Sequence, residues 1–369
     1  MSKNIVSYIA IIVATSTMTV AANHKIDELT NDQRVSFAQL PCEANTADQT
    51  IFKQSVSQLH QDGWAVDILE GTTGSASAQA TSNMGIMAYK GNKVVIATRG
   101  TAKTNLNDWT SNVRSNRNGV VRGVFHTLAG MFTDHYKNKE DFIAAQYLNL
   151  NGAVHNGFLQ THNSMWDKVK QNIQNHAKKQ GVAVSDLEFE TVGHSMGAAQ
   201  QDLNQVHLLT DSTLGLGTKV VEDEFQDNDL GMSFIGLKKT ERIENRNVRG
   251  TAFEAPNAFT TDAGKDFNER VGKGNSPHIH NAYDLVPYLP ANAVGYAAVG
   301  DQIAIDSSHR NPVAAHLIKN IRPTAVEALD QHDQGQSKVA APAKSSSMWS
   351  ALKGAIKTGV KSSRWMFGS

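Results

Sequence analysis

Leu187-Glu188-Phe189-Glu190-Thr191-Val192-Gly193-His194-Ser195-Met196-Gly197-Ala198-Ala199-Gln200-Gln201-Asp202-Leu203 is the stretch on which the fold turns. An apolar strand candidate, Leu187–Val192, runs into a turn bracketed by two glycines, and a helix-like segment follows at once. A serine held on so sharp a strand-to-helix turn has its hydroxyl exposed at the strand end. Side chains two positions before and after it would collide with neighbouring elements, so both are glycine. The backbone N–H of the next residue, Met196, then points to where a tetrahedral oxyanion would form. A bare G-x-S-x-G arises often by chance; the strand–turn–helix context makes this one specific.

Outward from that turn, strands alternate with helices. Gly85–Thr101 holds two apolar runs separated by Lys90-Gly91-Asn92-Lys93, a strand–turn–strand signal. Asn163–Lys179 shows helical spacing at Met165, Val169 and Ile173, with Gly181 as its stop. The Gly/Ser/Thr/Ala segment Gly71–Ser82 reads as a loop. This alternation predicts an α/β fold with a mostly parallel central sheet flanked by helices. Residues 204–250, with VEDEFQDND and then KKTERIENRNVR, read as an insertion.

Composition excludes several classes. One cysteine, Cys42, supplies neither an intrachain disulfide nor a multi-thiolate metal site. With 35 basic and 35 acidic residues the chain lacks the basic excess of a nucleic-acid binder. At 40% hydrophobic and 19% charged it is neither disordered nor polytopic.

The two ends differ from the middle. Residues 1–23 have a lysine, an uncharged apolar run and a small-residue end at Val20-Ala21-Ala22, the layout of a secretory signal; the expectation is a secreted or exported, membrane-associated protein. Residues 24–330 read as one domain, and 331–369 as a linker and tail. From Gln334 onward there are six basic residues and no acidic ones. In that tail Trp349, Leu352, Ile356 and Val360 share a helical face beside Lys353, Lys357, Lys361 and Arg364, a pattern suited to an anionic membrane surface.

A serine nucleophile needs a base and a carboxylate, which in this fold class follow in the order Ser, Asp/Glu, His. Downstream of Ser195, Asp284 precedes the Pro-stiffened VPYLP. The bases after it are His309, His316 and His332. His316, set among apolar residues in PVAAHLIKNI, is favoured; His309 in DSSHRNP is the alternative, and His332 lies in the polar run DQHDQGQ.

Four motifs in order resemble the class 3 lipases of the α/β-hydrolase superfamily: VVIATRGT, VHNGF at Val154–Phe158, GHSMG, and YDLVPYLP around Asp284. TAFEAPNAF at Thr251–Phe259 and His316-Leu317 are weaker matches, and the likeness spans roughly residues 85–320. The resemblance implies that Thr101, with Met196, forms the oxyanion hole, and that Ser195, Asp284 and His316 act as a triad on a lipid ester without cofactor or metal. It implies structural roles for Asp108-Trp109 and His155, and a lid within the apolar-rich 119–137. The chain departs from the family at Glu254-Ala255, where glycine is common, at Asn257-Ala258, and after His316. The acidic cluster 222–229 does not have the spacing of a calcium loop. His278 and His280 lack a third metal ligand and read as polar loop residues. The other reading of the same motifs is a catalytically weak lipid- or protein-binding module on this fold.

Overall fold

The computed structural model describes residues 29–44, 49–73, 80–100, 148, 150–216, 247–289 and 295–336. The expected signal segment, Thr101, Asp108-Trp109, the lid, the acidic cluster and the tail from 337 onward lie outside these residues.

A seven-stranded sheet forms the centre. β1 (Ala65–Thr73), β2 (Ala80–Lys90) and β3 (Lys93–Thr98) pair antiparallel. β4 (Glu188–His194), β5 (Val248–Phe253), β7 (Pro277–Asn281) and β9 (Asp301–Ile305) extend it in parallel from β3. β6 (Phe259–Thr260) and β8 (Tyr296–Ala297) make a separate two-stranded ribbon. This is an α/β arrangement with a mostly parallel central sheet flanked by helices, as expected from the alternation of elements.

Period-2 alternation assigns the two faces. In β3, Val94 and Ile96 enter one hydrophobic cluster and Val95 and Ala97 the other. The first cluster is roofed by α3 (Asn156–Gln180), α4 (Met196–Thr210) and α5 (Thr261–Val271). The second packs under α1 (Asn31–Glu43), α2 (Thr50–Gln61) and α7 (Ile318–Asp333). β3, antiparallel to β2 and parallel to β4, is covered on both faces, which is why every one of its residues is buried.

Several expectations change in detail. Within the segment read as a loop, Gly71–Thr73 and Ala80–Ser82 are strand, with Gly71 paired to Ser82 and Thr73 to Ala80 across β1 and β2, and 74–79 lie outside the described residues. The helix expected over 163–179 begins at Asn156, so the last residues of VHNGF are its first turn, and Gly181 ends it at φ 71°. The insertion read over 204–250 has core elements at both edges, since α4 runs to Thr210 and β5 begins at Val248. His278 and His280 are not in a loop. They lie in β7, between β5 and β9, where both are buried.

Candidate active site

The register of the parallel strands brings their carboxyl ends to one edge. Thr98 is level with Gly193, and His194 with Phe253. Ser195 follows β4, Glu254 follows β5, and Asp284 lies three residues beyond β7. His316 ends α6 (Pro312–His316), after β9. Side chains from separate segments therefore meet above the sheet, where open α/β folds build their sites.

Ser195 has φ 60° and ψ −130°, and its N–H donates to the Phe253 carbonyl at 2.9 Å. A Cβ on Gly193 would lie 2.1 Å from the Gly197 carbonyl oxygen, and one on Gly197 would lie 2.2 Å from that of Thr98. The glycines are required by this crossing of backbones. Thr98 Oγ1 donates to the Gly197 carbonyl at 2.6 Å and ties the turn to β3.

His316 Nε2 is 2.8 Å from Ser195 Oγ, and its Nδ1 is 2.6 Å from Asp284 Oδ2. All three side chains are buried. The Val286 N–H donates to Asp284 Oδ1 at 3.0 Å, leaving Oδ2 to face the ring. Burial favours the neutral form of Asp284, but the charge and hydrogen bond of His316, with hydrogen bonds from Glu254 and Val286, outweigh it and lower the pKa. With Nδ1–H donating to the carboxylate, Nε2 is free to accept the serine proton. Both contacts belong to His316; His309 lies partly exposed in the loop after β9, with no hydrogen bond to either partner found among the described residues. His332 meets Asp301 and Asp333 instead.

Met196 opens α4, so its N–H belongs to the helix end that has no intrahelical acceptor. Thr101 lies outside the described residues. Its neighbour Gly100 is close: a Cβ there would be 3.2 Å from Ser195 Cβ. His155 is buried, takes the Ala258 carbonyl through its backbone N–H at 2.8 Å, and packs its ring against Phe158.

Two residues here were not singled out by reading the sequence. His194 Nε2 is 2.7 Å from the His316 carbonyl oxygen and fixes the backbone that carries the base. Burial, then the nearness of His316, lowers its pKa to about 3, so the ring is neutral and donates. Glu254, fully buried, holds its carboxyl beside Asp284. Its signal was the departure from glycine after β5. The acidic oxygens and His316 nitrogen of Glu254, Asp284 and His316 lie within 4.8 Å of one another. Cation binding fits poorly, because the 2.6 Å hydrogen bond from Nδ1–H to Oδ2 leaves that nitrogen no lone pair for an ion.

The profile of the family described as Lipase (class 3) matches residues 95–214. This stretch holds most of β3, all of α3 and β4, the serine turn and α4, so the resemblance read from the motifs holds there. No curated protein matches the chain. Among solved structures, the lipase of Rhizopus microsporus var. chinensis is 17% identical, with a TM-score of 0.42 over 74% of this chain and 72% of that one. Lipase II of Rhizopus niveus is 14% identical, with a TM-score of 0.43 over 74% and 78%. A Yarrowia lipolytica lipase is also 14% identical, with a TM-score of 0.42 over 74% and 77%. The family match supports a carboxylic ester hydrolase acting on lipid esters in general.

Proposed function

We propose that the chain hydrolyses carboxylic esters of lipids, of the triacylglycerol lipase or phospholipase A type, through an acyl-enzyme on Ser195. The observation that carries this reading is the line of contacts from Ser195 Oγ through His316 to Asp284, at 2.8 and 2.6 Å, on a strained turn at a strand end.

Ser195 Oγ attacks the ester carbonyl carbon as His316 Nε2 takes its proton. Asp284 holds the ring in the required tautomer and stabilises the imidazolium. The oxyanion is held by the N–H groups of Met196 and Thr101, each donor contributing about 3 kcal/mol to the transition state. The carbon–oxygen bond to the alcohol then breaks, and His316 returns its proton to the departing oxygen. Water, deprotonated by the same nitrogen, attacks the acyl-enzyme; the fatty acid leaves and Ser195 regains its proton. No step calls for a cofactor.

The test is hydrolysis of a short nitrophenyl ester by wild type and Ser195→Ala, followed by a panel of acyl lengths and head groups. Wild-type activity falling at least about 10³-fold in the variant supports the mechanism. An inactive wild type points to the lipid- or protein-binding module; an active variant rejects Ser195. We also propose that the protein is exported and that residues 334–369 contact anionic membranes, on the strength of six basic residues without an acidic one. Removing 334–369 is expected to weaken binding to anionic vesicles and to spare hydrolysis of short soluble esters. Equal vesicle binding with and without the tail contradicts this role. A mass measurement on secreted material that shows residues 1–23 retained contradicts cleavage of a leader.

A further inference from the structure

Glu254 stands where a carboxylate is costly. It follows β5 at φ 53°, in the left-handed region where a side chain is strained, and it is fully buried. Its backbone N–H donates to the Ile279 carbonyl at 2.8 Å, and its Oε1 accepts the Asn281 N–H at 2.9 Å. Oε2 is buried and finds no donor among the described residues. What the carboxyl meets is the carboxylate of Asp284.

Two buried carboxylates in contact cannot both be ionised. Asp284 has the claim to the charge, since it receives the Val286 N–H and faces Nδ1 of His316. Burial, then the charge of Asp284, raises the Glu254 pKa well above the usual carboxylate range. A proton on Oε2 resolves both difficulties: it supplies the missing donor and removes the repulsion.

We propose that Glu254 is a positioning residue of the active site, a neutral carboxylic acid that donates Oε2–H to the Asp284 carboxylate and extends the chain Ser195–His316–Asp284 by one member. The inference rests on the triad reading above. The hydrogen bond holds Asp284 in the rotamer that faces His316. It also withdraws negative charge from the carboxylate, so the imidazolium formed during catalysis is not held too tightly to return its proton.

The other ionisable groups around the pair keep one charge state over the working range. His194, at the end of β4, has its pKa lowered to about 3 by burial and then by His316. Burial, then His278, lowers that of His280 in β7 to about 4. Tyr288, in the 3-10 turn Val286–Tyr288, is pushed up to about 12 by burial and then by Asp284 and Glu254. Between about pH 5 and 9, none of these three rings therefore changes its charge beside the pair.

The experiment compares full-length wild type, Glu254→Gln and Glu254→Met on a short soluble ester, with kcat and KM measured from pH 4.5 to 9 and thermal unfolding alongside. The glutamine amide can donate to Asp284 and accept from Asn281, and it carries no charge. If Glu254 is neutral, Glu254→Gln retains kcat within about threefold and leaves the acid limb of kcat/KM in place, whereas Glu254→Met loses about tenfold or more in kcat at nearly constant KM. In the Met variant the acid limb moves to higher pH, because Asp284 without its donor binds the imidazolium more strongly. A limb shifted to lower pH in Glu254→Gln would mean that a negative charge had been removed, and would overturn the proposal. So would equal kinetics for the Gln and Met variants. Should Glu254→Met fail to fold, the limb of Glu254→Gln decides alone. An active Ser195→Ala variant defeats the triad reading, an outcome separate from any shift of the limb.

Discussion

Ser195 at φ 60° occupies a backbone region that costs about 1–3 kcal/mol for a residue other than glycine, and neighbouring groups hold it there. Its N–H is engaged by Phe253, Thr98 ties down the Gly197 carbonyl, and Gly193 and Gly197 clear the space. This much was legible in the sequence, because the backbone crossing demands glycine on both sides. Asp284 and His316 were legible by chain order and setting. The role of His194 was not, because it comes from what the ring touches across the sheet edge, and Glu254 showed in the sequence only as a departure from glycine. His332 was set aside as a base from its polar setting, yet its neighbours give it a definite role. Hydrogen bonds to Asp301 and then to Asp333 raise its pKa from 6.5 to about 9, against the opposing effect of burial. A raised folded-state pKa stabilises the fold where the ring is charged: the contribution is complete below about pH 6.5 and is lost as the pH rises through about 9. The melting temperature is expected to decline over that interval, and His332→Gln should flatten this part of the decline. An unchanged slope in the variant would contradict the linkage.

At the scale of elements, the polar character of α4 hides its place in the fold. Gln200, Gln201, Asp202, Asn204 and Gln205 are all buried, although hydropathy would turn such residues to solvent. Gln200, Gln201, Asp202 and Gln205 are tolerated because the sheet and its neighbours offer partners, while the Asn204 amide has none among the described residues. Gln201 donates to Thr191 Oγ1 at 3.0 Å, Gln200 to the Phe158 carbonyl at 2.9 Å, and Gln205 to the Asn275 carbonyl at 2.8 Å. Asp202 meets His278 of β7 at 3.0 Å, which gives that buried histidine a partner. The opposite face depends on α1, whose start is fixed by a capping box between Thr30 and Gln33. Its Arg34 reaches Glu190 of β4 at 2.7 Å and Asp333 of α7 at 3.1 Å, and the Arg34 and Glu190 side chains are buried. Arg34→Met leaves Glu190 charged and without its partner inside the protein, and is expected to cost about 3–5 kcal/mol in urea unfolding. A loss below about 1 kcal/mol would show that water or another group replaces the guanidinium.

For the whole molecule, the charge balance combines two unlike parts. Residues 334–369 hold six of the 35 basic residues, which leaves 29 against all 35 acidic residues in the remainder. A mildly acidic body and a basic tail thus sum to zero. The middle of the sheet was readable because β3 and the strand before the serine turn carry apolar runs, whereas β7, Pro-His-Ile-His-Asn, has two histidines where such a run would stand and reads as a loop. The ribbon of β6 and β8 was not, since two-residue strands carry no period. No helix among the described residues is long and apolar enough to cross a membrane. The central claim remains chemical: Ser195 is the nucleophile at the meeting point of four strand ends. The most direct measurement is to treat the full-length protein with an alkyl phosphonate that esterifies activated serines, and to locate the adduct by peptide mass spectrometry. The account predicts one adduct, on the peptide containing Ser195, appearing together with loss of ester hydrolysis and absent from Ser195→Ala. Inactivation with the adduct on a different residue, or full hydrolysis by a protein modified at Ser195, would contradict it.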